Sequence, residues 1–357
     1  MLLTLSIVLY ARWLQIGLGY EVGAGDVDIW IQMCESTFDQ IGNLLAGNSR
    51  VEENLPFLAK CLTYIESLEK EAPHIIKDRR PDAEWPEAGS IEFRSYGMRY
   101  RPELEPALKD VLFSVAGKEK IGVVGRTGSG KSSLIHAILR LVEPASGSIS
   151  IDGVDISTIG LHDLRSRMCI VPQTPLLFQG SIRENLDPRG EHTDDEIWHA
   201  ICKAQLKEVV NVPTGEYIAL TDYNDPNLHQ VDGPWIAGIG LDKWIRRDGT
   251  NLSAGQRQLV SLCRALLWCR RILILDEATA NIDSETDSVI QRILRTEFAN
   301  TTVITIAHRL NTVMDSDRIL VMDNGTVAEF DTPSNLLARN GYFAQLVASM
   351  EFNEATG

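Results

Sequence analysis

Gly125-Arg126-Thr127-Gly128-Ser129-Gly130-Lys131-Ser132 follows the apolar run Ile121-Gly122-Val123-Val124 and precedes the helix-like Ser133-Leu134-Ile135-His136-Ala137-Ile138-Leu139. A buried strand that feeds a helix N-terminus through such a turn is a phosphate-binding loop in the context it requires. The glycines let successive backbone N–H groups turn inward around a polyphosphate. Lys131 then reaches the β- and γ-phosphates, and the Ser132 hydroxyl is placed to ligate Mg²⁺. Gly125 to Ser133 are therefore the expected phosphate contacts.

Two strongly apolar runs lie downstream, Ile272-Leu273-Ile274-Leu275 and Val303-Ile304-Thr305-Ile306. Runs apolar on both faces suit parallel strands covered by helices on each side. The first runs into Asp276-Glu277 and the second into Ala307-His308. In open α/β sheets ligands collect at the carboxyl ends of the strands. Asp276 is thus expected to hold Mg²⁺ through water, and Glu277 to polarise the water that attacks a γ-phosphate. Two acids that merely end a strand are the plainer alternative. His308 is a candidate γ-phosphate contact, or a turn histidine.

Leu252-Ser253-Ala254-Gly255-Gln256 opens a helix whose apolar face is Leu259, Leu262, Cys263, Leu266 and Leu267. Ser253 is a suitable N-cap, and a helix start with free amides is an anion site. On a separate helical lobe it serves best if it reaches the nucleotide of a second copy.

Together these segments resemble the nucleotide-binding domain of an ATP-binding cassette transporter. Walker A is Gly125 to Ser132, the Q-loop is Val171-Pro172-Gln173, the signature is Leu252 to Gln256 and Walker B is Ile272 to Glu277. The D-loop is Ala280-Asn281-Ile282-Asp283, and the switch histidine is His308. All occur in the family's order between roughly residues 89 and 350. Tyr100, in Met98-Arg99-Tyr100-Arg101-Pro102, resembles the A-loop aromatic that stacks on adenine; a strand tyrosine with a solvated hydroxyl is the alternative. Val124-Gly125-Arg126-Thr127-Gly128 and Phe178-Gln179-Gly180-Ser181-Ile182-Arg183-Glu184-Asn185-Leu186-Asp187-Pro188 resemble the multidrug-resistance-associated (C) subfamily, closest to its second cassette.

The resemblance implies an α/β P-loop NTPase fold: a RecA-like core, an antiparallel β-subdomain and a helical signature subdomain at about 174–268. It implies ATP and Mg²⁺, with Ser132, Gln173 and Asp276 around the metal. Lys131, Glu277 and His308 would form the hydrolytic set. The partners implied are a second cassette, head to tail, and transmembrane domains. The place implied is a membrane, with the cassette on its cytoplasmic side. The function implied is ATP hydrolysis that powers export; the alternative is a nucleotide-binding regulatory or vestigial fragment.

The chain has 357 residues, 44% of them hydrophobic and 23% charged, an ordinary globular composition. A net charge of −15 argues against a nucleic-acid surface, which needs clustered Lys and Arg. The six cysteines show no metal-ligand spacing and read as reduced thiols. Residues 1–72 read as helical, with apolar stripes at Phe38, Ile41, Leu44 and Leu45 and at Val51, Leu55, Leu58, Leu62 and Ile65. The apolar start to Tyr10 is shorter than the roughly 20 residues of a membrane span. A partial membrane helix and a packing helix both remain open. Asp26 and Asp28 are costly in lipid, so no translocation path is expected here, and 1–72 resembles a remnant of the second membrane domain. Residues 73–88, with Pro73, Pro81 and Pro86, read as a linker. Residues 213–248, rich in Gly and Pro, read as an irregular surface insertion, and 351–357 as a tail.

Overall fold

The computed structural model of the chain describes residues 2–18, 23–68, 70–211, 240–278, 282–307 and 312–356. They fall into two units, Met1–Glu71 and Ala72–Gly357. The first holds α1 (Leu2–Leu18) and α2 (Ala24–Ser67). α2 starts where the Asp26 carboxylate accepts from the Gly23 backbone N–H at 3.0 Å, satisfying an amide at the helix entrance. It runs on through Pro56, which withholds one ladder donor. Phe38, Ile41, Leu44, Leu45, Val51, Leu55, Leu58, Leu62 and Ile65 are all exposed along it. Among the described residues no helix is long and apolar enough to cross a membrane.

The second unit begins with an antiparallel sheet. Its strands are β1 (Ile91–Met98), β2 (Leu108–Val115), β4 (Pro144–Ile151) and β5 (Val154–Asp155), in the order β2-β1-β4-β5. Alternate residues face its core, where the rings of Phe93 and Phe113 stack at 4.5 Å. The main sheet has six strands: β3 (Lys120–Gly125), β6 (Met168–Val171), β9 (Ile272–Asp276), β10 (Thr302–Ile306), β11 (Arg318–Asp323) and β12 (Thr326–Asp331). Their order is β12-β11-β3-β10-β9-β6. All pairs are parallel except the edge pair β11–β12.

The burial pattern explains the parallel pairing. Ile272 and Ile274 of β9 enter the core that also holds Leu134 and Ile138 of α3 (Lys131–Ile138). Leu273 and Leu275 enter the opposite core, beneath α8 (Ala254–Trp268) and α9 (Ser284–Thr296). A strand wet on neither face has no use for polar alternation. Register then sets the site: Val123 of β3 pairs with Ile306 of β10, which pairs with Asp276 of β9. Gly125, Asp276 and Ala307 therefore leave the sheet at the carboxyl ends of its strands.

α4 (Leu161–Arg165) precedes β6 and puts Leu164 in the core with α3, whereas the helical lobe contains α5 (Ile182–Leu186), α6 (Asp194–Lys203), α7 (Lys207–Asn211) and α8, with a short pair β7 (Gly180–Ser181) and β8 (Trp244–Ile245). Arg264 of α8 donates to the carbonyls of Leu176 and Asn185, tying the segment after β6 to the lobe. α10 (Pro333–Ala338) and α11 (Tyr342–Thr356) close the chain against a smaller core with Val321, Leu336 and Phe343.

Two stretches differ in character from their composition. Of the expected irregular insertion, residues 213–239 lie outside the described residues, but 240–248 are packed into the lobe. Leu241 and Ile245 are buried, β8 pairs with β7, and the buried Lys243 ammonium donates to the Val209 carbonyl. The Gly and Pro residues scattered from Pro213 to Gly240 conceal these two apolar anchors. The proline-rich stretch 73–88 is likewise held on the second unit. Trp85 is buried, its indole N–H donating to the Ile151 carbonyl at 3.0 Å, and Arg80 bonds the buried Asp163 at 2.8 Å. Asp152 receives the backbone N–H groups of Ala88, Gly89 and Ser90. Burial pushes that carboxyl up, but these bonds and the Ser90 hydroxyl outweigh it and hold it below the usual carboxylate range.

Candidate functional site

The loop after β3 turns sharply at Gly125, whose φ is 153°. A Cβ there would lie 2.3 Å from the Met322 carbonyl oxygen, so only glycine fits. Gly130, at φ 106°, is the N-cap of α3, leaving the first amides of that helix directed at the loop. Arg126, Thr127, Gly128 and Ser132 are exposed around it, while Ser129 and Ser133 are buried. The Ser129 hydroxyl has no hydrogen-bond partner among the described residues.

Lys131 is only 7% exposed. Its ammonium is folded back onto the loop, donating to the carbonyls of Gly125 at 2.8 Å and Arg126 at 3.0 Å. Burial lowers its pKa, and the charge of Glu277 works in the opposite direction. The β9 exit supplies the facing acids. Asp276 is half-buried; burial first, and the Glu277 charge second, raise its pKa, with His136 opposing. Glu277 adopts a left-handed backbone, φ 47°, that a glutamate rarely takes. Its N–H donates to the Ile306 carbonyl at 3.0 Å, so the chain leaves β9 while still tied to β10. Such local strain persists where the surroundings over-determine it, as at functional sites.

Gln173, two residues past β6, donates from Nε2 to Glu277 Oε2 at 2.7 Å. Its own backbone neighbour is fixed from below, because Gln258 of α8 donates to the Pro172 carbonyl at 3.3 Å. Lys131, Gln173, Asp276 and Glu277 thus converge at the carboxyl ends of the strands. Tyr100, past the end of β1, is 46% exposed. Its hydroxyl lies 3.0 Å from Ser133 Oγ and 2.9 Å from His136 Nδ1, both on α3, so it is not a solvated strand tyrosine. His308, Ala280 and Asn281 lie outside the described residues.

The signature segment belongs to the other core, in which Leu252 and Leu259 are buried. Ser253 caps α8: its hydroxyl accepts from the Gln256 N–H at 3.1 Å, and Gln256 Oε1 accepts from the Ser253 N–H at 3.0 Å. Ala254 is half-buried and Gly255 buried. A Cβ on Gly255 would sit 2.7 Å from Thr286 Cγ2. Thr286 is itself fixed, donating through N and Oγ1 to Asp283, the cap of α9. Asp283 therefore holds the threonine against which Gly255 packs. Gly255→Ala should destabilise the fold by about 1–3 kcal/mol through overpacking. Adding Thr286→Ala, which removes Cγ2 and Oγ1, should recover much of it. Urea unfolding midpoints of the two variants check this, and no recovery would refute the contact.

A family model described as ABC transporter matches residues 108–280. Over 287 residues the chain is 48% identical to the ATP-binding cassette transporter abc2 of Schizosaccharomyces pombe, an alignment that spans 80% of this chain and 18% of that protein. Residues 108–280 thus form an ABC transporter domain. Over 295 residues the chain is 47% identical to ATP-binding cassette sub-family C member 3 of Homo sapiens, across 83% of this chain and 18% of that protein. It is 51% identical to ABC transporter C family member 5 of Arabidopsis thaliana, across 78% and 17%. The chain thus spans less than a fifth of the length of these relatives. Among solved structures, a bacterial Atm1-family ABC exporter with ATP bound aligns with a TM-score of 0.77 at 26% identity, covering 98% of this chain and 58% of that one. The cassette fold and the C-subfamily likeness agree with the motifs. The Tyr100–Ser133–His136 cluster and the Asp283–Thr286 seat were not read from the sequence. His136 stands four residues after Ser132, on one face of α3, and that spacing was the available signal.

Proposed function

We propose that the cassette binds ATP with Mg²⁺ at the Gly125–Ser133 loop and hydrolyses it to drive export through membrane domains. The observation that carries this reading is the placement of Glu277. It leaves β9 in a left-handed conformation, is held by Gln173, and lies within Coulombic reach of Lys131. A carboxylate so placed can take a proton from a water directed at the γ-phosphate. Lys131 exchanges its two loop carbonyls for phosphate oxygens, and the buried orphan hydroxyl of Ser129 suits an anionic ligand in the same cradle. Ser132, Gln173 and Asp276 offer the oxygen donors that a hard cation prefers. Bound with the nucleotide, Mg²⁺ would neutralise charge on the β- and γ-phosphates. Tyr100 presents a ring face to adenine, and His308 would complete the γ-phosphate contacts.

Leu252 and Leu259, on either side of Ser253 to Gln256, belong to a different core from α3 and Ser253 is exposed, which supports a sandwich: the signature of one cassette closes on the nucleotide of another. The partners in this reading are a second cassette and transmembrane domains, with the cassette on the cytoplasmic side of a membrane. Alignment of 98% of the chain with an exporter supports residues 1–72 as the end of a membrane domain, 73–88 as its linker and 89–350 as the cassette. The test is Mg²⁺-dependent ATP hydrolysis by the full chain as protein concentration is varied. The rate per chain should rise with concentration, because each site needs a second signature. A rate independent of concentration would refute the sandwich. Binding without turnover would instead identify a regulatory nucleotide-binding fragment.

A further inference from the structure

We infer that His136 is a positioning residue of the nucleotide site, holding Tyr100 across the mouth of the phosphate loop through the tyrosine hydroxyl. The inference rests on the ATP-binding reading above and goes beyond it to a residue outside the cassette motifs. Tyr100 lies in the connection between β1 and β2, which is closed at its base where the Ala107 N–H donates to the Met98 carbonyl at 2.8 Å. Within that connection, the Leu104 N–H donates to the Arg101 carbonyl at 3.1 Å. These bonds shape the backbone but leave the half-exposed ring free to turn about its side-chain torsions.

The ring is fixed from its far end. Ser133 and His136 stand three residues apart on α3 and share a face of the helix. Both reach the Tyr100 oxygen, at 3.0 Å and 2.9 Å, and the imidazole meets the phenol edge to face, centroids 5.9 Å apart. If Ser133 donates to the tyrosine oxygen and the tyrosine O–H donates to Nδ1, the tyrosine hydroxyl both accepts and donates. The helix that bears Lys131 and Ser132 then carries the base platform as well. Phosphate cradle and stacking face become one rigid body, and the base meets a ring already in place instead of ordering it on binding.

Loss of one neutral hydrogen bond that orders the ring should weaken ATP binding about five-fold. The full chain and its His136→Leu, His136→Asn, Tyr100→Phe and His136→Leu/Tyr100→Phe variants are titrated with Mg-ATP and with inorganic tripolyphosphate. Leucine should cost ATP affinity about five-fold, while tripolyphosphate, which has no base, binds as before. Asparagine, whose Oδ1 can stand where Nδ1 stands, should recover most of the loss. In the Tyr100→Phe background the leucine change should have no further effect, since its route through the hydroxyl is gone. In hydrolysis the loss should appear in KM, with kcat changing less. Equal losses for ATP and tripolyphosphate, additive effects in the double variant, or unchanged ATP affinity in His136→Leu would each overturn the inference. The unsubstituted chain separates the two readings. If it binds ATP and His136→Leu binds it equally well, only the positioning role fails; if it does not bind ATP, the nucleotide reading fails and this inference with it.

Discussion

Replacing Lys131 with alanine should weaken Mg-ATP binding by about a hundred-fold, with little change in thermal stability. A hydrogen bond from a charged donor contributes about 1.5–3 kcal/mol, and a hundred-fold loss corresponds to about 2.7 kcal/mol. The structure explains why the effect is concentrated in one side chain. The ammonium is almost fully buried, and burial already works against its charge. Two carbonyls, those of Gly125 and Arg126, offset the cost. Phosphate oxygens offer stronger acceptors in the same pocket, so the lysine gains more from ATP than an exposed one would. The fold should tolerate the change, because the carbonyls released lie at the rim of an open loop. Arginine should not substitute, since its planar fork is larger than the pocket and cannot reproduce a point charge. Isothermal titration with Mg-ATP measures the effect, and an unchanged Kd in Lys131→Ala would refute the phosphate-loop assignment.

The parts of this chain legible in sequence are those in which one local pattern has one structural outcome. A glycine-rich turn between an apolar strand and a helix needs a backbone course open to glycine, and Gly125, Gly128 and Gly130 do take positive φ. Runs such as Ile272 to Leu275, apolar at consecutive positions, suit strands covered on both faces, and their two sides do enter separate cores. The rest depends on contacts between segments far apart in the chain. Gln173 and Glu277 meet across 104 residues of sequence, and nothing local to either announces it. Gly255 is required by a threonine on another helix. The stretch from Gly240 to Asp248 carries turn-forming residues, and only the burial of Leu241 and Ile245 reveals its place in the lobe. Conversely, the regular apolar spacing of α2 announces a helix but not what covers it, since those side chains are exposed within this chain.

Glu277→Gln is expected to lower kcat for ATP hydrolysis by about 10²–10⁴-fold, the range of a lost general base, while ATP binding is kept or strengthened. The amide has the shape of the carboxylate but cannot accept a proton from water. It can still offer an oxygen to the Gln173 amide, so the contact at the carboxyl ends of the strands survives the change. The electrostatics move in favour of the nucleotide. The Glu277 charge is one cause of the raised Asp276 pKa, and removing it makes it easier for Asp276 to stay ionised beside a bound cation. It also takes one negative charge away from the position a γ-phosphate would occupy. The loss of the attraction that supports Lys131 works the other way, but a tetravalent nucleotide more than replaces it. A chain that binds ATP, cannot cleave it and meets a second signature should therefore accumulate as an ATP-bound dimer. Light scattering on the purified variant, with and without Mg-ATP, reads the mass directly, and a quenched-flow assay reads the turnover. Turnover at the unsubstituted rate would remove Glu277 from the chemistry. A variant that binds ATP, fails to cleave it and stays monomeric would keep Glu277 as the base and discard the sandwich, which makes the two halves of the proposal separable in one protein.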